Sequence, residues 1–186
     1  MQRAPAPCGI GPPGRYYVRG ADCAMTDLRV PTTRQPVTIT CTDGRAVDGH
    51  IFMPSQSSRH MGPMRADEWS DTVPTFFPFR ARDAACSTIF NVAAVVAFTV
   101  PVDGAEAQAD ARDAALVDAP MARVAVDAAG ASFEGHVIID MPPGHQRVAD
   151  WLNAPAPFIT VRARGHQHLI HKRHITRVVE LPESGH

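Results

Sequence analysis

Arg147-Val-Ala-Asp-Trp-Leu-Asn-Ala-Pro-Ala-Pro-Phe-Ile-Thr-Val-Arg-Ala-Arg164 has a counterpart earlier in the chain. Moved back by 82 positions it lies, without a gap, on Arg65-Ala-Asp-Glu-Trp-Ser-Asp-Thr-Val-Pro-Thr-Phe-Phe-Pro-Phe-Arg-Ala-Arg82. Arg65/Arg147, Trp69/Trp151, Phe76/Phe158, Arg80/Arg162, Ala81/Ala163 and Arg82/Arg164 are identical, and Asp71 faces Asn153. The protein has 2 tryptophans, and they fall in register. We read an internal duplication.

Working outward, each copy carries the same order of signals. Copy 1 opens with Val37-Thr-Ile-Thr-Cys41, whose apolar/polar alternation reads as a half-buried strand. Thr42-Asp43-Gly44-Arg45 is a hairpin turn. The return strand Ala46–Met53 contains Gly49 and stops at Pro54; a glycine inside a strand suggests a bulge or sharp bend. A polar loop leads into the Arg65–Asp71 segment and a short apolar strand, Thr75–Arg80. The copy closes with Ser87–Asn91, a brief bend, and Val95–Val100.

Copy 2 opens with Arg123-Val-Ala-Val-Asp127, turns at Ala128-Ala-Gly130-Ala, and returns through Phe133-Glu-Gly-His-Val-Ile-Ile139. There Glu134-Gly135-His136 echoes Asp48-Gly49-His50. Val148, Trp151 and Leu152 share one face of a predicted two-turn helix, ended by Asn153 and Pro155. Strands Pro157–Arg162, His168–His171 and Ile175–Leu181 follow, the last two joined by Lys172-Arg173-His174. Both tryptophans are expected to anchor their helices to the core.

The expected organisation is a disordered Pro/Gly/Arg-rich segment over 1–36, copy 1 over 37–101, a linker over 102–122, and copy 2 over 123–186. The linker is Ala-rich, with Asp103, Glu106, Asp110, Asp113 and Asp118 against Arg112; partial helix is expected there. Met25 offers a second start.

Strand, turn, Gly-bent strand, short helix, strand, strand, tight turn, strand resembles the small SH3-like and Sm-like barrels. The strings Gly135-His-Val-Ile-Ile-Asp-Met-Pro-Pro-Gly144, Arg147–Asn153, Phe158–Arg162 and Ile170–Val178 resemble a small uncharacterised bacterial domain, a domain of unknown function. That resemblance covers nearly all of copy 2 and a degraded copy 1. It implies an all-β fold of two tandem five-stranded barrels with short inserted helices, and it implies no activity.

Composition narrows the function classes. With 186 residues, 45% hydrophobic and net charge −1, the chain is ordinary for a globular protein. Arginine dominates over the single Lys172, beside abundant Ala and Pro, so arginine enrichment alone marks no partner. Cys8, Cys23, Cys41 and Cys86 form no Cys-x-x-Cys pair, and copy 2 has none, which excludes a repeated disulfide or zinc site. No apolar signal-peptide run is present. Ile89–Val100, interrupted by Asn91, falls short of the ~18–20 apolar residues of a membrane span. The expected location is cytoplasmic, with no membrane contact.

Candidate chemistry is sparse. His166, His168, His171 and His174 are weak metal candidates, since imidazole is a common ligand. Copy 1 has Asn91 and Ala94 in place of His171 and His174, and no carboxylate lies close in sequence, so a solvated polar hairpin is the competing reading. His50 and His136 repeat after glycines and read as rim residues. Glu68 and Asp150 hold equivalent helix positions and read as water-facing acids.

Arg162, Arg164, Lys172, Arg173 and Arg177 form a basic run with no acid, as single-stranded nucleic-acid binders use. Arg80 and Arg82 repeat only its Arg-Ala-Arg part. Neither a phosphate-binding glycine loop nor a Gly-x-Ser-x-Gly elbow occurs. No cofactor is called for, and an enzyme is not expected. The leading expectation is a non-enzymatic binding or scaffolding module that uses sheet edges or barrel rims to contact another protein or itself. Nucleic-acid binding through the basic residues is second, and metal binding by the histidines third. Val92–Val100 is apolar on both faces where copy 2 keeps charge, so this part of copy 1 is expected to be covered by copy 2 or by another subunit.

Overall fold

The computed structural model describes residues 31–102 and 119–182. The expectations of a disordered start and of partial helix in the linker fall, for 1–30 and 103–118, outside the described residues. The described chain is mostly β. Its first half holds β1 (Thr32–Cys41), β2 (Ala46–Pro54), α1 (Ala66–Thr72), β3 (Phe76–Ala81), β4 (Thr88–Asn91) and β5 (Val95–Pro101). The second holds β6 (Met121–Ala128), β7 (Ala131–Ile138), α2 (Val148–Leu152), β8 (Phe158–Ala163), β9 (His166–His171) and β10 (Ile175–Glu180). A single 3-10 turn joins β4 to β5, and another joins β9 to β10.

β1 starts at Thr32, upstream of the expected Val37. Its first residues pair with β2 alone, Thr32 opposite Pro54, and β5 joins from Thr38 onward. Pro36, which has no N–H to give, stands where β1 has one neighbouring strand. The β6–β7 turn closes with Ala128 opposite Ala131 and positive φ at Ala129 (46°) and Gly130 (84°), the two-residue geometry that suits strand twist.

All ten strands form one antiparallel sheet in the order β10-β6-β7-β8-β9-β5-β1-β2-β3-β4. Each half contributes its strands in the spatial order fifth, first, second, third, fourth. Matching positions pair alike. Phe77 lies opposite Phe90 and Ile159 opposite Ile170; His50 lies opposite Arg80 and His136 opposite Arg162. Two tandem five-stranded small barrels are the expectation from sequence; the ten strands form a single sheet, in which the fifth strand of the first half pairs with the fourth strand of the second, Phe98 opposite Leu169 and Val100 opposite Gln167.

The apolar side chains of β5 account for this junction. Val95, Val96, Ala97, Phe98 and Val100 are buried, and they divide between two cores. Val95, Phe98 and Val100 join Trp69, Phe77, Phe79, Phe158 and Leu169; Val96 and Ala97 join Val124, Val126, Val161 and Ile170. A strand that feeds both cores needs cover on both faces, and the second half supplies it. Trp69 sits edge-on to Phe77 and Phe98 at centroid distances of 5.8 and 5.3 Å, as expected of a helix anchor; Trp151 is half-buried against the second core.

Gly49 and Gly135 are where the second strand of each half crosses the third. A Cβ on Gly49 would stand 2.2 Å from the Arg80 carbonyl oxygen, and one on Gly135 2.3 Å from that of Arg162. The bend read from sequence at Gly49 is thus a backbone-to-backbone approach that admits hydrogen only.

Candidate functional site

The conspicuous histidines lie along the β5–β9 junction. Strand alternation puts His166 and His168 on one face of β9, with ring centroids 4.7 Å apart. His168 Nδ1 is 3.0 Å from Thr99 Oγ1 on β5, and its ring packs on Phe133. His171 accepts from the Arg173 backbone N–H and stands edge-on to Phe158. His174 Nε2 lies 3.0 Å from the Ala93 carbonyl oxygen, a link from the second half to the first.

Burial holds the imidazoles of His168 and His171 down at about 4, with the neighbouring His166, and His174 and Arg173, adding to the effect. Both rings are therefore neutral at pH 7. The hairpin is half-buried junction, where a solvated polar hairpin was expected. Among the described residues no group of three His, Cys, Asp or Glu side chains is placed to hold a metal ion.

Of the basic candidates, several are engaged within the chain. Arg177 pairs with Asp127 at 2.7 Å. Lys172 Nζ donates to the Ala154 carbonyl oxygen at 2.6 Å, and burial lowers its pKa against the pull of Asp71. Arg80 Nη2 donates to the Ala85 carbonyl oxygen, and Arg82 is 4.0 Å from Asp48. Arg164 and Arg173 are exposed. Arg162 lines a groove between α1 and β8 that also holds Arg65, Asp67, Glu68 and Asp140. The seven residues are spread over β3 and β8, the positions just past the end of each, the turn before β10, and β10, with β3 and β10 near opposite ends of the sheet.

The rim residues divide. His50 is half-buried beside a groove with Asp48, Arg82 and His166, whereas His136 is exposed. Asp150 is half-buried on α2. Glu68, read as water-facing, is largely covered: its Oε1 lies 2.8 Å from His60 Nε2, within ion-pair distance but off the line of a hydrogen bond, and its Oε2 is buried with no hydrogen-bond partner among the described residues. Cys41 is buried and Cys86 exposed, both as free thiols; burial, and then the nearby Asp43, pushes the Cys41 thiol up, making it a poor nucleophile.

Sheet edges or barrel rims are the contact surface expected from sequence, but which strands and residues form the edges is what sequence reading missed; they lie at the two ends of the sheet. Among the described residues β4 and β10 are the terminal strands, each with one neighbour. They and the strand beside β4 carry exposed apolar side chains: Ile89 (62% exposed) on β4, Val179 (38%) on β10, and Phe76 on β3. A terminal strand offers unpaired N–H and C=O groups to any further strand. The sequence signal was present in Thr88-Ile-Phe90 and Val178-Val-Glu180, adjacent apolar residues where alternation would hide only one. No helix among the described residues is long and apolar enough to cross a membrane.

Comparisons with protein-family models, with curated proteins and with solved structures return no match.

Proposed function

We propose that the protein is a non-enzymatic binding module, built of two SH3-like small-barrel halves that arose by duplication, and that it acts through protein–protein contacts at its sheet edges. The observation that carries this reading is the pair of terminal strands, each with one neighbour among the described residues, with exposed Ile89 and Val179. Strand addition at such an edge draws affinity from main-chain hydrogen bonds and specificity from alternate side chains. The engagement of Lys172 and Arg177 within the chain leaves fewer cations for a phosphate backbone, which favours protein over nucleic acid as partner.

The test is purification from an extract of the source cells at low and at high salt, reading nucleic-acid absorbance and identifying co-eluting protein. The reading predicts a protein partner, itself or another, that survives high salt and is lost when Ile89→Pro or Val178→Pro removes an edge donor. Nucleic acid that leaves as salt rises, and is absent with Arg162→Ala and Arg164→Ala, would replace it with the single-stranded nucleic-acid reading.

A further inference from the structure

The junction inside the molecule shows which strand each free edge fits. It pairs a fifth strand, β5, with a fourth strand, β9. Among the described residues the two edges that remain are the other fourth strand, β4, and the other fifth strand, β10. Like the junction, these edges are of unlike kind: the contact is head-to-tail, and one such contact leaves its complement open.

We infer that the occupant of these edges is a second copy of this chain, with β10 of one molecule adding antiparallel to β4 of the next. This rests on the protein–protein reading above and names the partner. The register follows from the pairings already present. β5 and β10 hold the same place against their first strands: Phe98 faces Ile39 as Val178 faces Val126, and Thr99 faces Thr38 as Val179 faces Ala125. β4 and β9 hold the same place against their third strands: Pro78 faces Ile89 as Thr160 faces Leu169.

Carrying Phe98 opposite Leu169 and Thr99 opposite His168 across these equivalences sets Val178 opposite Ile89 and Val179 opposite Thr88 of the neighbouring molecule. Ala97 opposite Ile170 becomes Arg177 opposite Phe90. Ile89 and Val179, the exposed apolar residues of the two terminal strands, therefore fall within one contact.

The contact is weaker than the internal one. Where β5 brings the fully buried Ala97 and Val100, β10 brings Arg177 and Glu180 at the equivalent places, and charged residues on an edge temper strand pairing. Association is thus concentration-dependent. Because the contact is heterologous, repetition produces a closed ring or an open filament, according to the rotation between successive molecules.

The test is mass against concentration by sedimentation or light scattering, on the full chain, over about a hundredfold range. Two surface substitutions, Ile89→Arg and Val179→Lys, each spoil a different edge; unchanged circular dichroism and melting identify folded variants. The wild-type mass should rise with concentration, and each variant alone should stay monomeric. Their equimolar mixture should form a capped dimer and nothing larger, since each supplies the edge the other lacks. A monomeric wild type throughout the range overturns the inference, as does association indifferent to both substitutions. Loss with one substitution only, or a mixture that stays monomeric, would indicate a like-with-like contact and also overturn it. If the wild type is monomeric yet a different protein is captured through the edges, this inference fails while the module reading stands.

Discussion

Gly135→Ala separates steric necessity from backbone preference, because the two give opposite signs. Gly135 lies outside the left-handed region, so its conformation suits alanine. With room for a methyl group, the substitution would stabilise the fold by about 0.4–1 kcal/mol by restricting the unfolded chain. The new Cβ would instead meet the Arg162 carbonyl oxygen at 2.3 Å, with the Arg162 carbonyl carbon and Val161 Cγ1 both at 2.9 Å.

Relief requires the two strands to part by about 1 Å. Overpacking of that kind costs about 1–3 kcal/mol, and the adjoining strand pair, His136 opposite Arg162, gives up roughly another 1 kcal/mol of hydrogen bonding. The expected destabilisation is about 3 kcal/mol, or a melting temperature lower by ~10 °C for a chain of this size. Gly49→Ala should do the same in the first half, where the Arg80 carbonyl oxygen stands at 2.2 Å. Urea unfolding followed by tryptophan fluorescence measures both. A change below about 1 kcal/mol, or a stabilisation, would show that the second and third strands do not approach as described.

Three further outcomes are expected. Phe98→Ala should cost about 3–5 kcal/mol, because the ring packs on Trp69 and Phe77 of its own half and on Phe158 of the other; a loss under about 1 kcal/mol in urea unfolding would contradict a shared core. Acid should weaken the fold through the junction histidines. Their folded pKa is about 4 against 6.5, so the unfolded chain binds more protons between those values; their contribution is complete above about pH 6.5 and is lost as pH falls towards 4. Since both rings keep contact with solvent, the loss is on the order of 1 kcal/mol each, and a stability–pH slope unchanged by His168→Gln with His171→Gln would refute it. Ala129→Asn should stabilise by about 1 kcal/mol, since asparagine tolerates the positive φ that alanine holds at 46°; a lower melting temperature would count against that turn geometry.

Much of the fold was legible because its signals are local. Alternation in Val37–Cys41, the Asp43-Gly44 turn and the glycines at 49 and 135 each report on their own few residues. The partner of each strand is a long-range property, and period-two patterning tells which face a side chain takes without telling which strand lies beside it. Only the double-faced apolarity of β5 hinted at the junction, and it left open whether the cover came from the second copy or from another subunit.

The site was less legible. His168 and His174 look like a solvated cluster in sequence, and become junction residues only once Thr99 and Ala93, about seventy and eighty positions away, are brought to them. Arg177 and Lys172 look free until Asp127 and the Ala154 carbonyl are seen to hold them. The edge residues Ile89 and Val179 carry no motif; they matter because of what the sheet leaves beside them.

The central claim is one sheet that joins the halves at β5 and β9 and leaves β4 and β10 open, and amide hydrogen exchange of the dilute protein tests it most directly. The account predicts the slowest exchange in Val96–Val100 and His168–Ile170, with markedly faster exchange in Thr88–Asn91 and Arg177–Glu180. Exchange in β5 and β9 as fast as in β4 and β10 would contradict it, because the junction would then be another edge.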